Sequence, residues 1–282
     1  LAALATLLGA VLGIVAAWVK SLIDQRLRTA EDVAALLPVL AAVPRISPSA
    51  EGVVATWSAS PEFADAMRSL RLALSSGTRG TKSKVLQIAS SEPDDGKSLV
   101  SAGLAIALAQ AGQRTLIVDA DFHLSEQSRL FGLSGDEGLS QALAAGAAPA
   151  EPLETAVDGL YLLPSGPPPR NLDEAFGGPR LAATLRELAR RFDCIVIDSP
   201  PLLTTPDAQA IASICEETLL VIRSGKTTRK LAGAALAAIV SVGGRVSGAV
   251  LNRVPRTALP GSAGRYAYGA RQSAADSLVL SE

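Results

Sequence analysis

The stretch Val85-Leu86-Gln87-Ile88-Ala89-Ser90-Ser91-Glu92-Pro93-Asp94-Asp95-Gly96-Lys97-Ser98-Leu99 decides the fold. It opens with an apolar run, Val85 to Ile88, short enough for a buried strand. A polar loop ending in Gly-Lys-Ser comes next, and then an apolar helical pattern near 98–111. Strand, loop and helix in that order are the setting a phosphate-binding loop requires. In such a loop the backbone N–H groups and the helix N-terminus face phosphate oxygens. Gly96 lets the backbone come close, Lys97 neutralises the β and γ phosphates, and Ser98 offers a hydroxyl to Mg²⁺. Ser91 stands where a first glycine is usual, so the Gly-Lys-Ser triplet alone also fits a plain loop that starts a helix. Ser91, Asp94, Asp95, Gly96, Lys97, Ser98 and Leu99 are the nucleotide contacts expected from this stretch.

Outward from the loop, short apolar runs alternate with helical stretches. The runs begin at Val85, Thr115, Leu160, Cys194, Thr218 and Val246, and helices are expected near 179–191, 206–214 and 228–241. Apolar strands alternating with helices predict an α/β fold: a mostly parallel sheet flanked by helices on both faces. Ligands of such sheets sit beyond the carboxyl ends of the strands. Asp119 and Asp121 end one strand, Asp198 another and Asn252 a third, so all four are expected to converge on the loop. A lone Asp after a strand is more often a helix cap, and that reading stays open for Asp207. Two carboxylate-bearing strand ends beside a phosphate loop are harder to explain that way. Asp198 resembles a Walker-B carboxylate on Mg²⁺, so Ser98, Asp119 and Asp198 are the expected metal ligands. Lys97, Asp119 and Asp121 are the expected catalytic set, one carboxylate accepting the proton of an incoming hydroxyl. Asn252 is a candidate for hydrogen bonding to the adenine edge.

Composition narrows the class. Apolar residues make up 48% of the 282, enough for a sizeable core, whereas aromatics at 4% disfavour an aromatic-rich β sandwich. A net charge of −1 without a basic patch argues against nucleic acid. Cys194 and Cys215 have no metal-site spacing and read as small buried hydrophobes in a reducing compartment. His123 is the single histidine, which excludes a histidine-rich metal site.

The ends of the chain read differently. Residue 1 is leucine, and the sequence is expected to be part of a longer chain. Residues 1–19 carry no charge, long enough to span a bilayer as a helix, with Trp18 placed as an interfacial aromatic. Lys20, Arg26 and Arg28 put the residues after position 20 on the cytoplasmic side. A signal peptide would need a basic leader and a cleavage site, and a buried core helix suits shorter runs. Thr29-Ala30-Glu31-Asp32 resembles a helix N-cap, and residues 46–60 read as a Ser/Pro/Ala-rich linker before a helix over 61–74. The organisation expected is a transmembrane helix at 1–20, a juxtamembrane connector and linker at 21–60, a P-loop domain at 61–255 and a mobile tail at 256–282.

Taken in order, these features resemble the bacterial tyrosine kinases of capsule and exopolysaccharide assembly. The resemblance runs over the apolar span, the Leu37-Pro38-Val39-Leu40 to Val43-Pro44 connector, and the Arg68-x-x-Arg71 helix. It continues through the loop at 91–98, Asp119-Ala120-Asp121 as a second Walker-like motif, and Asp198-Ser199-Pro200-Pro201. It implies a P-loop ATPase fold, ATP and Mg²⁺ as cofactors, and autophosphorylation on tail tyrosines within a homo-oligomeric ring. It also implies a chain-length-determinant part of the same protein at the inner membrane, and a phosphotyrosine phosphatase as partner. Tyr266 and Tyr268 are the candidate acceptors, and Asp65, Arg68 and Arg71 the candidate ring interface. The chain departs from the family pattern in three places. Asp65 replaces Glu, His123 replaces Arg, and Asp94 and Asp95 replace Gly and Glu.

Two other functions fit parts of the pattern. One is a kinase-inactive, nucleotide-gated regulator of polysaccharide assembly with weak ATPase activity. The other is a partitioning ATPase of the ParA/MinD type, which would carry a signature lysine where Glu92 stands.

Overall fold

A computed structural model describes residue 13 and residues 24–75, 84–134, 137–145, 151–169, 176 and 179–259. In chain order the elements are α1 (Ala30–Ala34), β1 (Val39–Pro44), α2 (Val53–Ala59), α3 (Pro61–Ser75), β2 (Lys84–Ser90) and α4 (Lys97–Ala109). Then come β3 (Thr115–Asp119), α5 (Gln127–Phe131), α6 (Leu139–Ala145), β4 (Leu153–Glu154), β5 (Leu160–Leu163) and α7 (Pro179–Leu188). The rest are β6 (Cys194–Asp198), α8 (Asp207–Ile214), β7 (Glu217–Arg223), α9 (Arg229–Ser241) and β8 (Val246–Val254).

The strands form one eight-stranded sheet in the order β1-β8-β7-β2-β6-β3-β5-β4. Every pairing is parallel except β4 with β5. Parallel strands covered on both faces need no alternation, and β3 and β6 are buried at every position. From β2 the chain builds one half of the sheet through β3 and the other through β7 and β8. The carboxyl end of β2 therefore sits at a switch in strand order, where open α/β sheets bind ligands.

α4 is the central helix, buried along its length except at Leu99. Such a helix has no solvent face, so its sequence is apolar all round apart from the residues that serve the loop and its surroundings. α3 covers it: Phe63, Met67 and Leu70 pack in one cluster with Leu104, Ile106 and Leu108. Gly103 permits the close approach, since a Cβ there would come within 2.8 Å of Met67 Cγ.

The segment expected as connector and linker is folded into this architecture. β1 pairs in parallel with β8 and forms the sheet edge. A short apolar run flanked by prolines must bury its apolar side chains, and β8 would otherwise present an open edge. Pro38 and Pro44 are tolerated because an edge strand needs fewer N–H donors. Leu27 and Val33 are buried with Leu220, Ile222 and Ile239. Thr29 caps α1 in a reciprocal box with Asp32. Within the expected linker, α2 forms with Val53 and Thr56 buried. The apolar span at 1–20 and the tail tyrosines Tyr266 and Tyr268 lie outside the described residues. Among the described residues no helix is long and apolar enough to cross a membrane.

Candidate functional site

The loop between β2 and α4 is shaped by backbone conformation and by clamps from distant strands. Gly96 adopts φ +90°, and a Cβ there would collide with the Asn252 amide. Asn252 Nδ2 donates to the Asp95 carbonyl at 2.8 Å, and its Oδ1 accepts from Arg253 N–H at 2.8 Å. The amide expected at an adenine edge thus braces the loop, with its second N–H and a second oxygen lone pair outside these two bonds. Two cations, at the end of β7 and just beyond it, hold the other side. Arg223 Nη1 donates to the Asp94 carbonyl at 3.0 Å and Lys226 Nζ to the Pro93 carbonyl at 2.6 Å. Lys226 Nζ also lies 3.6 Å from Asp95 Oδ1. Burial raises the Asp95 pKa, and Lys226 is the largest influence opposing it.

The structure divides the expected site residues into two layers. Asp94, Gly96, Lys97, Ser98, Leu99 and Asn252 line an open cleft of about 240 Å³. Ser91, Asp95, Asp119, Asp121 and Asp198 lie beneath it, buried. Asp119 and Asp198 are register partners on the adjacent strands β3 and β6, which brings their carboxylates to one level. Lys97 joins the layers through an ion pair to Asp121 Oδ2 at 2.9 Å. Asp121 Oδ1 also accepts from the N–H groups of His123 and Leu124 at 3.1 and 3.0 Å, so the turn after Asp119 is closed by the carboxylate itself. His123 is exposed.

Three side chains that carried no signal in the sequence hold the buried carboxylates, Ser101 and Gln127 from within and Ser125 from the exposed rim. Ser125 Oγ donates to Asp119 Oδ2 at 2.9 Å, and Ser101 Oγ to Asp198 Oδ1 at 3.3 Å. Gln127 Nε2 donates to Asp198 Oδ2 at 2.7 Å. Ser125 and Gln127 come shortly after Asp119 at the start of a short helix, where polar residues usually serve as caps, so their type does not mark them out. Ser101 lies one turn after Lys97 on an apolar helix, where a lone serine is compatible with simple packing.

Electrostatics reflect burial. Burial, then the Asp198 charge, push the Asp119 carboxyl up to about 7, against hydrogen bonds from Gln127, Ser125 and Asp121 that favour its anion. Burial also raises Asp198, with Lys97 the largest opposing influence and a hydrogen bond from Ser98 a smaller one. Burial would lower the Lys97 pKa, but the Asp198 and Asp121 charges more than offset it, so the ammonium is retained.

This chemistry suits a phosphate-bound divalent ion. Two buried carboxylates whose pKa values stand above the ordinary range favour a cation beside them. Ser98 with Asp119 and Asp198 is an all-oxygen donor set, as a hard ion prefers. Among the described residues no three His, Cys, Asp or Glu side chains group closely enough to hold a metal unaided. Phosphate oxygens and water would therefore complete the shell. Ser91 Oγ and Gln127 Oε1 are buried without a hydrogen-bond partner, leaving unused polar capacity in the site.

The candidate ring residues sit elsewhere, on α3. Arg68 Nη2 bonds Asp65 Oδ1 at 2.7 Å within the helix, and its guanidinium lies 5.7 Å from the centroid of the Trp57 ring. Arg71 Nε is buried without a hydrogen-bond partner.

Comparisons with known proteins point to the same nucleotide-binding fold. The family described as CobQ/CobB/MinD/ParA nucleotide binding domain matches residues 86–261. The chain is similar to the tyrosine-protein kinase CpsD of Streptococcus agalactiae, 34% identical over 190 residues, which cover 66% of this chain and 83% of CpsD. It is 30% identical over 199 residues to the tyrosine-protein kinase etk of Escherichia coli K12, covering 69% of this chain but only 27% of etk. The crystal structure of the chimerical protein CapA2B2 superposes with a TM-score of 0.73 at 30% identity, over 81% of this chain and 100% of that one.

Proposed function

The chain belongs to the CobQ/CobB/MinD/ParA nucleotide-binding family and, within it, to the bacterial tyrosine-protein kinases; on that basis we propose an ATP-dependent tyrosine autokinase that regulates exopolysaccharide or capsule polymerisation and export. The observation that carries the proposal is the convergence of Lys97, Ser98, Asp119, Asp121 and Asp198 from three strand ends on one loop. Lys97 neutralises phosphate charge in the transition state, its ammonium preserved by the carboxylates behind it. Ser98, Asp119 and Asp198 would hold Mg²⁺, which when bound offsets charge on the phosphates. Asp119 and Asp121 are the candidates to take the proton of the incoming tyrosine hydroxyl.

Tyr266 and Tyr268 are the proposed acceptors, reached from a neighbouring copy in a ring built on Asp65, Arg68 and Arg71. Residues 1–20 are proposed as the inner-membrane anchor and 256–282 as the tail; the cytoplasmic domain takes in β1 and the helices on either side of it as well as residues 61–255. A chain-length-determinant part of the same protein and a phosphotyrosine phosphatase are proposed partners, on the resemblance to the capsule and exopolysaccharide kinases. Incubation with Mg-ATP and subsequent phosphotyrosine detection test the proposal. Labelling that disappears when both tail tyrosines become Phe supports it. ATP binding with no phosphotyrosine at all would replace it with the nucleotide-gated regulator.

A further inference from the structure

Gln127 has no part in the proposed reaction, yet it joins three elements of the buried layer. It is the first residue of α5 and is fully buried. Its backbone N–H donates to Asp119 Oδ2 at 3.1 Å. Its side-chain Nε2 donates to the Ser98 carbonyl at 3.0 Å and to Asp198 Oδ2 at 2.7 Å. One residue therefore connects the first turn of α4, the end of β3 and the end of β6.

The orientation of the amide is determined by its partners. A backbone carbonyl can only accept, so the nitrogen must face Ser98, and both of its hydrogens are then used. The oxygen, Oε1, is left buried without a hydrogen-bond partner. Buried acceptors of this kind are rare in protein interiors and call for an occupant. The groups bonded to the same amide, Ser98 and Asp198, are those proposed to hold a hydrated divalent ion, and water on such an ion is a donor.

We propose that Gln127 is a positioning residue for the divalent ion. It fixes the Asp198 carboxylate against the Ser98 turn, and its amide oxygen accepts from water in the ion's shell. The proposal rests on the magnesium–nucleotide reading of the site and adds a residue to it. A bond network around the ligands, rather than the ligands alone, sets the affinity of most metal sites.

The test is calorimetric titration of the full chain with ADP, first in EDTA and then with Mg²⁺. Gln127→Met keeps the side-chain length and the backbone N–H but removes both donors and the acceptor. In this variant metal-free ADP affinity should stay within about twofold of the parent, while the tightening by Mg²⁺ should fall by roughly tenfold or more. Gln127→Asn, polar but one methylene too short to span Ser98 and Asp198, should show the same split and covers the case in which a buried thioether perturbs folding. Retained Mg²⁺ tightening in a folded variant would overturn the proposal. Equal loss of metal-free and metal-bound affinity would also overturn it, by reducing Gln127 to a structural brace. A parent protein whose ADP affinity ignores Mg²⁺ would overturn the underlying site reading and this proposal together.

Discussion

The crevice and the outer face of α3 use the same charged residue types in opposite ways. In the crevice, the Lys97 and Asp121 side chains are 9% and 1% exposed, and Lys97 pairs with a carboxylate from beyond another strand. On α3, the Arg68 and Asp65 side chains are 47% and 58% exposed and pair three positions apart on one helix. A buried pair is strongly destabilised when one partner is removed, because the other charge is stranded. An exposed pair is screened by water, and its loss is hardly felt. Charge in the crevice is thus committed to internal partners, whereas charge on α3 remains available to a surface.

The strongest consequence should be seen at Lys97. Lys97→Met should reduce phosphotransfer by roughly 10²–10³-fold, as loss of a preorganised charge at a transition state does. Circular dichroism should report a folded protein with a lowered melting temperature, because Lys97 lies in no core cluster but its loss strands the Asp121 and Asp198 charges. Near-parental labelling by this variant would break the distinction between the two regions.

A second effect concerns pH. The Asp119 carboxyl stands at about 7 against an ordinary 3.8, so the folded protein binds its proton more tightly than the unfolded chain does. Between those two values this group makes the protein more stable as pH falls and less stable as pH rises. Thermal unfolding should therefore show a contribution in that window that disappears in Asp119→Asn, whatever the absolute stability of the variant. Mg²⁺ with ADP should flatten the same slope, since a cation favours the anion. A parental slope unaffected by either change would place the burden of buried charge elsewhere.

The weakest effect belongs to α3. Arg68→Ala should change unfolding free energy by no more than about 1 kcal/mol, since an exposed ion pair and a ring contact with Trp57 are lost together. If the face is the proposed ring contact, the same substitution should lower the mass seen by light scattering at equal concentration. A large loss of stability with unchanged mass would mean that the pair belongs to the fold rather than to a surface.

Much of the architecture is legible in the sequence because its signals are local. The run Val85 to Ile88 and the glycine–lysine–serine turn after it announce β2, the loop and α4, and the remaining apolar runs of the domain mark β3 and β5 to β8 closely. β1 is less legible. The Leu37 to Pro44 run reads as connector because a strand at a sheet edge is recognised by its partner, and β8 lies some 200 residues later in the chain. Asp119, Asp121 and Asp198 stand out by their position after a strand, whereas Gln127 does not, because its partner Asp198 is 71 residues away.

Periodicity and motif spacing act over a few residues. They suffice to mark most strands and helices, the loop shaped for phosphate and the carboxylates that end the strands. Three further features required the folded chain: the shared register of Asp119 and Asp198, the bracing of the loop by Asn252, and the bridge from α4 to β6 through Gln127. Those outcomes depend on packing and burial. Both arise largely from contacts between residues far apart in the chain, and they set the local dielectric that fixes each charge.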